Sequence, residues 1–310
     1  MSDRGRNTGP VVVTGANGFV GSRVSRRLSD DGRRVRALVR TSGSPELQRP
    51  GIEEIVGDFT KVEVARAATR GADAVVHCAA GIGPELETAR HVNVDGTRAM
   101  VEAALEERVR RYVQISTISV YAKSPAERLD EEATIKSEGD PYGLTKADAD
   151  RVVLEAMMRG LPAVILRPGA ILGVHPTSTW GVKAPARIRD RVMKLRGDGR
   201  EPMPWVHVEN LVDAVLLALD DDRAVGRVYN VADETHSWRE FTDEIRGWFG
   251  TEPLDTIPES EVTAQGGYSV TRYDSARLYG ELGYKPRRTY REGMDEAAGH
   301  WAREGAAHGS

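Results

Sequence analysis

The stretch Val11-Val12-Val13-Thr14-Gly15-Ala16-Asn17-Gly18-Phe19-Val20-Gly21 constrains the chain most, because it sets three glycines at intervals of three between an apolar run and an amphipathic one. Val11 to Val13 reads as a buried strand, while Phe19, Val20, Val24 and Leu28 share one face of a helix that Gly32 would close. Glycines between a strand and a helix allow a tight turn, where the backbone can approach an anion lying at the positive helix end. A dinucleotide pyrophosphate is the natural ligand, with Gly15, Asn17, Gly18, Phe19 and Val20 around it. The spacing is Gly-x-x-Gly-x-x-Gly, not the Gly-x-Gly-x-x-Gly of many dehydrogenases.

Further short apolar runs follow at Val35 to Val39, Ile52 to Val56, Ala74 to Cys78, Tyr112 to Ile115 and Ala163 to Leu166, alternating with helical patterns such as Glu87 to Glu107. This alternation predicts an α/β fold with a doubly wound parallel sheet, whose ligands bind beyond the carboxyl ends of the strands. After Pro168 the pattern turns irregular, with Gly, Pro and Trp through Pro176 to Trp180 and a basic helix-like run from Ala186 to Arg196. Val206 to Leu219 reads as strand plus helix and Arg227 to Val231 as a further strand, so the chain returns to the sheet. The expected organisation is a dinucleotide-binding domain of residues 10–170 and 206–232, interleaved with a smaller C-terminal substrate lobe of 171–205 and 233–302. Residues 1–9 and 303–310 are expected to be disordered tails.

Acidic residues number 47 against 43 basic ones, so the chain offers no field for nucleic acid or an anionic membrane. No apolar stretch is long enough to span a bilayer, and the polar start Met1 to Gly9 is neither a signal peptide nor a transit sequence. The single cysteine, Cys78, reads as a buried structural thiol and suits a reducing cytoplasm. Histidines 77, 91, 175, 207, 236, 300 and 308 are scattered without zinc-site spacing, and no metal is expected.

Cofactor choice is made at the end of the second strand, where an Asp or Glu would accept hydrogen bonds from the adenosine ribose of NAD. Here the chain reads Arg33-Arg34-Val35-Arg36-Ala37-Leu38-Val39-Arg40-Thr41-Ser42, with no acid. A guanidinium at Arg40, with Arg36 as a second candidate, could meet the extra phosphate of NADP, so NADP(H) is preferred to NAD(H). Asp58, after the third strand, suits either the adenine amino group or a turn.

Tyr142 and Lys146 stand four residues apart in Pro141-Tyr142-Gly143-Leu144-Thr145-Lys146, the spacing that brings two side chains to one helix face. A nearby ammonium stabilises a phenolate, which makes Tyr142 a candidate general acid or base.

The glycine turn and this pair, together with Ala79-Ala80-Gly81, His91-Val92-Asn93-Val94-Asp95-Gly96-Thr97, Ile115 to Tyr121, Leu166-Arg167-Pro168-Gly169 and Val206-His207-Val208-Glu209-Asn210, resemble the extended short-chain dehydrogenase/reductase family. That group includes nucleotide-sugar epimerases, dihydroflavonol reductases and 3β-hydroxysteroid dehydrogenases. The resemblance implies a Rossmann fold and makes Tyr142 the acid/base, with Lys146 holding the nicotinamide ribose and lowering the phenol pKa. It makes Thr117 the third member, a hydroxyl that orients the substrate oxygen, with Ser116 and Ser119 as adjacent alternatives. It places Asp58, Phe59, Ala79, Ala80 and Pro168 along the cofactor, gives Asn93 a supporting role, and implies a homodimer through the helices near 87–107 and 142–160.

Dehydratases of the family carry Asp-Glu after the catalytic Thr, where this chain has Ile118-Ser119. Epimerases usually carry an Arg for the diphosphate where this chain has Met203, although Arg187, Arg189 or Arg200 could substitute. The expectation is an NADP(H)-dependent ketoreductase or alcohol dehydrogenase, with a nucleotide-sugar epimerase as the alternative and a non-catalytic dinucleotide sensor third. Ser119, Trp180, Met203 and Trp205 are candidates for the substrate pocket, and core packing accounts for the three large ones equally well.

Overall fold

The computed structural model describes residues 9–124, 126–264 and 272–308. The first half alternates as the sequence predicts: β1 (Val11–Thr14), α1 (Phe19–Asp30), β2 (Val35–Val39), β3 (Ile52–Val56), α2 (Val62–Thr69), β4 (Ala74–His77), α3 (Leu86–Arg90), α4 (Gly96–Glu106) and β5 (Arg111–Ile115). A π-turn over His91–Asp95 joins α3 to α4, so the predicted helix near 87–107 is continuous but locally widened around Asn93. Then come β6 (Arg128–Leu129), α5 (Pro141–Met158), β7 (Ala163–Pro168), β8 (Ala170–Leu172), α6 (Ala184–Arg189), β9 (Leu195–Arg196), β10 (Pro202–His207), α7 (Val208–Asp220) and β11 (Val228–Val231). The C-terminal part adds β12 (Glu234–Ser237), α8 (Trp238–Phe249), β13 (Thr256–Ile257), α9 (Glu259–Ala264), β14 (Arg272–Tyr273), α10 (Ala276–Leu282) and α11 (Tyr290–His308).

Seven strands form one parallel sheet in the order β11-β7-β5-β4-β1-β2-β3. The order reverses between β1 and β4, which pair from Val11↔Ala74 to Thr14↔His77, so their exits lie side by side and open the crevice where such sheets bind ligands. Both faces are covered. Val13, Val24, Leu28, Leu211 and Val215 build the core under α1 and α7, and Val12, Met100, Tyr112, Val153 and Ile165 the core on the other face. Burial on both sides explains why these strands read as unbroken apolar runs.

A second, three-stranded sheet, β12-β10-β8, lies outside the main one. Met203, Trp205, Phe241, Ile245 and Met294 form its core. Val206 and His207 belong to β10 of this smaller sheet, and the chain re-enters the main sheet only through α7 and β11. The basic run from Ala186 to Arg196 is helical only up to Arg189; Arg191 then takes φ 56°, which stops the helix. Of the two expected tails, residues 1–8 and 309–310 lie outside the described part, and 303–308 belong to α11.

Candidate active site

The glycine turn is built as its composition requires. Gly15 has φ 61°, and a Cβ there would stand 2.9 Å from Ala79 Cα. Gly18 N–H donates to Gly15 O at 2.9 Å, and a Cβ on Gly21 would fall 2.2 Å from Gly15 O, so the third glycine lets α1 seat directly on the turn. Helix α1 has no side-chain cap from Gly18 and no acidic residue in its first turn; Thr177 Oγ1 accepts the Phe19 N–H at 3.1 Å, and the positive helix end faces the crevice. These features fit a dinucleotide pyrophosphate.

A buried polar line runs from this turn across the floor of the crevice. Thr14 Oγ1 accepts from Ala79 N–H at 3.2 Å and hydrogen-bonds His77 Nδ1 at 2.7 Å. Thr97 gives its proton to Asn93 O at 2.6 Å, so at 3.2 Å it must accept from His77 Nε2, which fixes the tautomer. Burial, with Lys146 adding to it, holds His77 down at about 3, hence neutral. The Asn93 side chain then clamps Gly81, accepting its N–H at 2.7 Å and donating to its carbonyl at 3.1 Å, and donates to Thr145 Oγ1 at 2.9 Å. The loop after β4 is thereby tied to α5, one residue before Lys146. Thr14, His77 and Thr97 were not singled out from the sequence; a run of polar residues inside apolar segments was the available signal.

Thr117, Tyr142 and Lys146 converge at the exit of β5. Asp140 caps α5, accepting from Gly143 N–H at 2.7 Å, and Pro141 opens its first turn, which fixes where Tyr142 begins. The Thr117 side chain accepts from Ser119 N–H at 3.1 Å and lies near enough to the Tyr142 phenol to lower its pKa. Ser119, one of the adjacent alternatives to Thr117, is exposed in a 3-10 turn, Ile118–Val120, because the strand has already ended. Ser116 is buried.

Lys146, only 2 % exposed, donates to Ile115 O at 2.7 Å. Burial lowers its pKa to about 8, with Asp150 and Cys78 opposing. Tyr142 departs from expectation: burial pushes the phenol up to about 12, Thr117 only partly offsets this, and Lys146 is not among the groups that shift it. The ammonium bonds a main-chain carbonyl, so the phenol keeps its proton.

The cofactor candidates divide. Arg40 is exposed at the end of β2 and makes no hydrogen bond or ion pair with any described residue. Arg36 is committed elsewhere, donating to the carbonyls of Ala68 at 2.6 Å and Arg70 at 2.9 Å at the end of α2, and this removes it as a phosphate clamp. Asp58 folds into a turn, accepting from Thr60 N–H at 3.0 Å and Thr60 Oγ1 at 2.8 Å, which keeps its carboxyl below the usual range. Phe59 turns inward against His77, ring centroids 5.4 Å apart. Asn17, Ala80 and Val20 border the turn with Ala80 exposed, and Pro168 is buried at the end of β7.

The apolar pocket wall is corrected. Met203 is 6 % exposed inside the small-lobe core, and Trp180 stands edge-on to Trp205, Trp238 and Phe241 at 5.4–6.0 Å between centroids. These side chains pack the smaller sheet against α8: β10 supplies Met203 and Trp205, the turn before α6 supplies Trp180, and α8 supplies Trp238 and Phe241. Of the three candidate diphosphate arginines, Arg189 pairs with Asp190 and lies 5.2 Å over Trp301, Arg200 pairs with Asp198, and Arg187 is exposed on α6; all three are surface residues.

Residues 11–232 match the NAD dependent epimerase/dehydratase family. The chain belongs to that family. Among its epimerase/dehydratase relatives, a 2-alkyl-3-oxoalkanoate reductase from Stenotrophomonas maltophilia is 32 % identical over 79 % of this chain and 77 % of the relative. A 4-hydroxy-2-methyl-3-oxo-4-farnesyl-3,4-dihydroquinoline-1-oxide ketoreductase from Stigmatella aurantiaca is 29 % identical over 92 % of this chain and 94 % of its own. Among solved structures, MoeE5 in complex with UDP-glucose and NAD is 25 % identical with a TM-score of 0.78, covering 96 % of this chain and 100 % of that one. The chain's relatives on this fold thus include a ketoreductase and a protein solved with UDP-glucose and NAD. No helix among the described residues is long and apolar enough to cross a membrane.

Proposed function

We propose that the protein is an NADP(H)-dependent reductase of a ketone, or the corresponding alcohol dehydrogenase. The observation that carries this reading is the placement of Tyr142 in the first turn of α5, one turn before the buried Lys146 that donates to Ile115 O at 2.7 Å beside Thr117, with the phenol pushed up by burial and no carboxylate at positions 118 and 119. A neutral phenol is a proton donor, which is what a carbonyl oxygen needs as its carbon is reduced. The ketoreductase and oxoalkanoate reductase relatives support the same direction.

In this reading the Gly15–Gly21 turn and the end of α1 hold the pyrophosphate, and Arg40 meets the additional phosphate of NADP. When bound, the nicotinamide supplies or accepts the hydride. Thr117 positions the substrate oxygen against the phenol, Tyr142 gives up the proton, and Lys146 supplies the positive charge beside the nicotinamide ribose. The reverse sequence oxidises an alcohol.

The test is NADPH consumption by the purified protein against a panel of apolar ketones and a panel of nucleotide sugars. Net consumption with ketones supports the reading. Interconversion of nucleotide sugars without net consumption, with NAD retained through purification, would replace it by the epimerase reading.

A further inference from the structure

Helix α5 carries a third functional side chain in register with the first two. Tyr142, Lys146 and Asp150 follow at intervals of four, one column on the helix. Asp150 is fully buried, and its Oδ2 accepts from Arg167 Nε at 3.0 Å. Its other oxygen, Oδ1, is buried without a hydrogen-bond partner. A buried carboxylate half-satisfied in this way is costly unless its charge serves a neighbour.

Arg167, itself 2 % exposed, is held from three sides: it donates to Asp150, to Tyr121 Oη at 3.0 Å and to Glu131 O at 3.3 Å. Its guanidinium also lies 4.9 Å over the Tyr121 ring, and Tyr121 Oη donates to Asn230 Oδ1 at 2.6 Å. The frame comes from β7, β11 and the β5–α5 segment, so Asp150 cannot easily turn away.

We propose that Asp150, braced by Arg167, is the counter-charge of Lys146 and thus a positioning residue for the reaction assigned above. Around Lys146 the other groups are poor substitutes. His77 at the end of β4 is neutral, Cys78 beside it is pushed up to about 12 by burial, Tyr142 on α5 keeps its proton, and β5 offers only the Ile115 carbonyl. Asp150 most strongly opposes the loss of the Lys146 proton that burial drives. The assignment rests on the proposed role of Lys146, but the charge relationship can be measured apart from turnover.

The chain has seven lysines, few enough for carbon-13 labelling at Cε, with Lys146→Arg identifying the resonance. In the full chain without cofactor, the Lys146 signal is expected to titrate near 8. Asp150→Asn should lower the midpoint by about one pH unit or more, and Asp150→Glu should restore most of it. The double variant Asp150→Asn/Arg167→Met leaves neither charge unpaired, and its midpoint should fall between those of the wild type and Asp150→Asn, because Arg167 alone repels Lys146. Should the single variant fail to fold, a double-variant midpoint below that of the wild type supports the assignment. An unchanged midpoint in either variant overturns it. If the midpoints move as expected while Tyr142→Phe keeps full turnover, the reductase reading fails and the charge pairing stands.

Discussion

The Lys146 ammonium donates to the carbonyl of Ile115 at 2.7 Å, one strand end away from the phenol that precedes it by a helical turn. The positive charge is therefore anchored to the sheet, at the point where β5 gives way to Thr117. Burial raises the phenol, Thr117 only partly offsets this, and Tyr142 retains its proton. For the proposed reaction this separates two tasks that the spacing alone would merge: the proton assigned to Tyr142 and the field assigned to Lys146.

Tyr142→Phe is expected to cut turnover by about 10²–10⁴-fold while changing the NADPH dissociation constant little. Steady-state rates and a fluorescence titration of NADPH check both. Thr117→Ala should lower kcat with Tyr142 in place, whereas Ser119→Ala, at an exposed position, should have little effect.

Activity should fall as pH rises through about 8, where buried Lys146 loses its proton. Stability moves the other way. The folded pKa lies below the unfolded one, so between about 8 and the ordinary lysine value of about 10.4 the unfolded chain holds more protons, and Lys146 makes stability rise with pH. Lys146→Met should remove that rise, seen in urea denaturation at a series of pH values.

Most of the scaffold was legible because burial on both sheet faces leaves unmistakable apolar runs, and because Gly15, Gly18 and Gly21 fit one backbone geometry. The pairing of Tyr142 with Lys146 was legible as a spacing but not as a charge state, since burial and the Ile115 carbonyl come from elements far apart in sequence. The sequence favours Arg40 over Arg36, which alternation puts on the same face; the difference is that Arg36 lies within β2 and reaches the carbonyls ending α2, whereas Arg40 stands just past the strand end. Trp180 and Met203 could not be told from pocket residues, because an apolar side chain reads the same in a wall and in a core. Asp150 went unremarked among many acidic residues, although it stands one turn beyond Lys146.

Arg40→Ala should weaken NADPH binding by roughly 10–100-fold, the value of one charge-assisted contact, and leave NADH binding nearly unchanged. Calorimetric titration of both nucleotides measures the difference.

Gly21→Ala should destabilise the protein by about 1–3 kcal/mol and impair nucleotide binding, because its Cβ would meet Gly15 O at 2.2 Å. Gly247→Ala, inside α8 with nothing within 4 Å, should instead stabilise by about 0.5–1 kcal/mol. Thermal unfolding of the two variants provides opposite signs in one experiment.

The most direct test of the proposed chemistry is the nucleotide itself: its identity in the purified protein by mass spectrometry, and the dissociation constants of NADPH and NADH. The account predicts a freely exchanging nucleotide and at least about tenfold tighter binding of NADPH. Stoichiometric, non-exchanging NAD would contradict it.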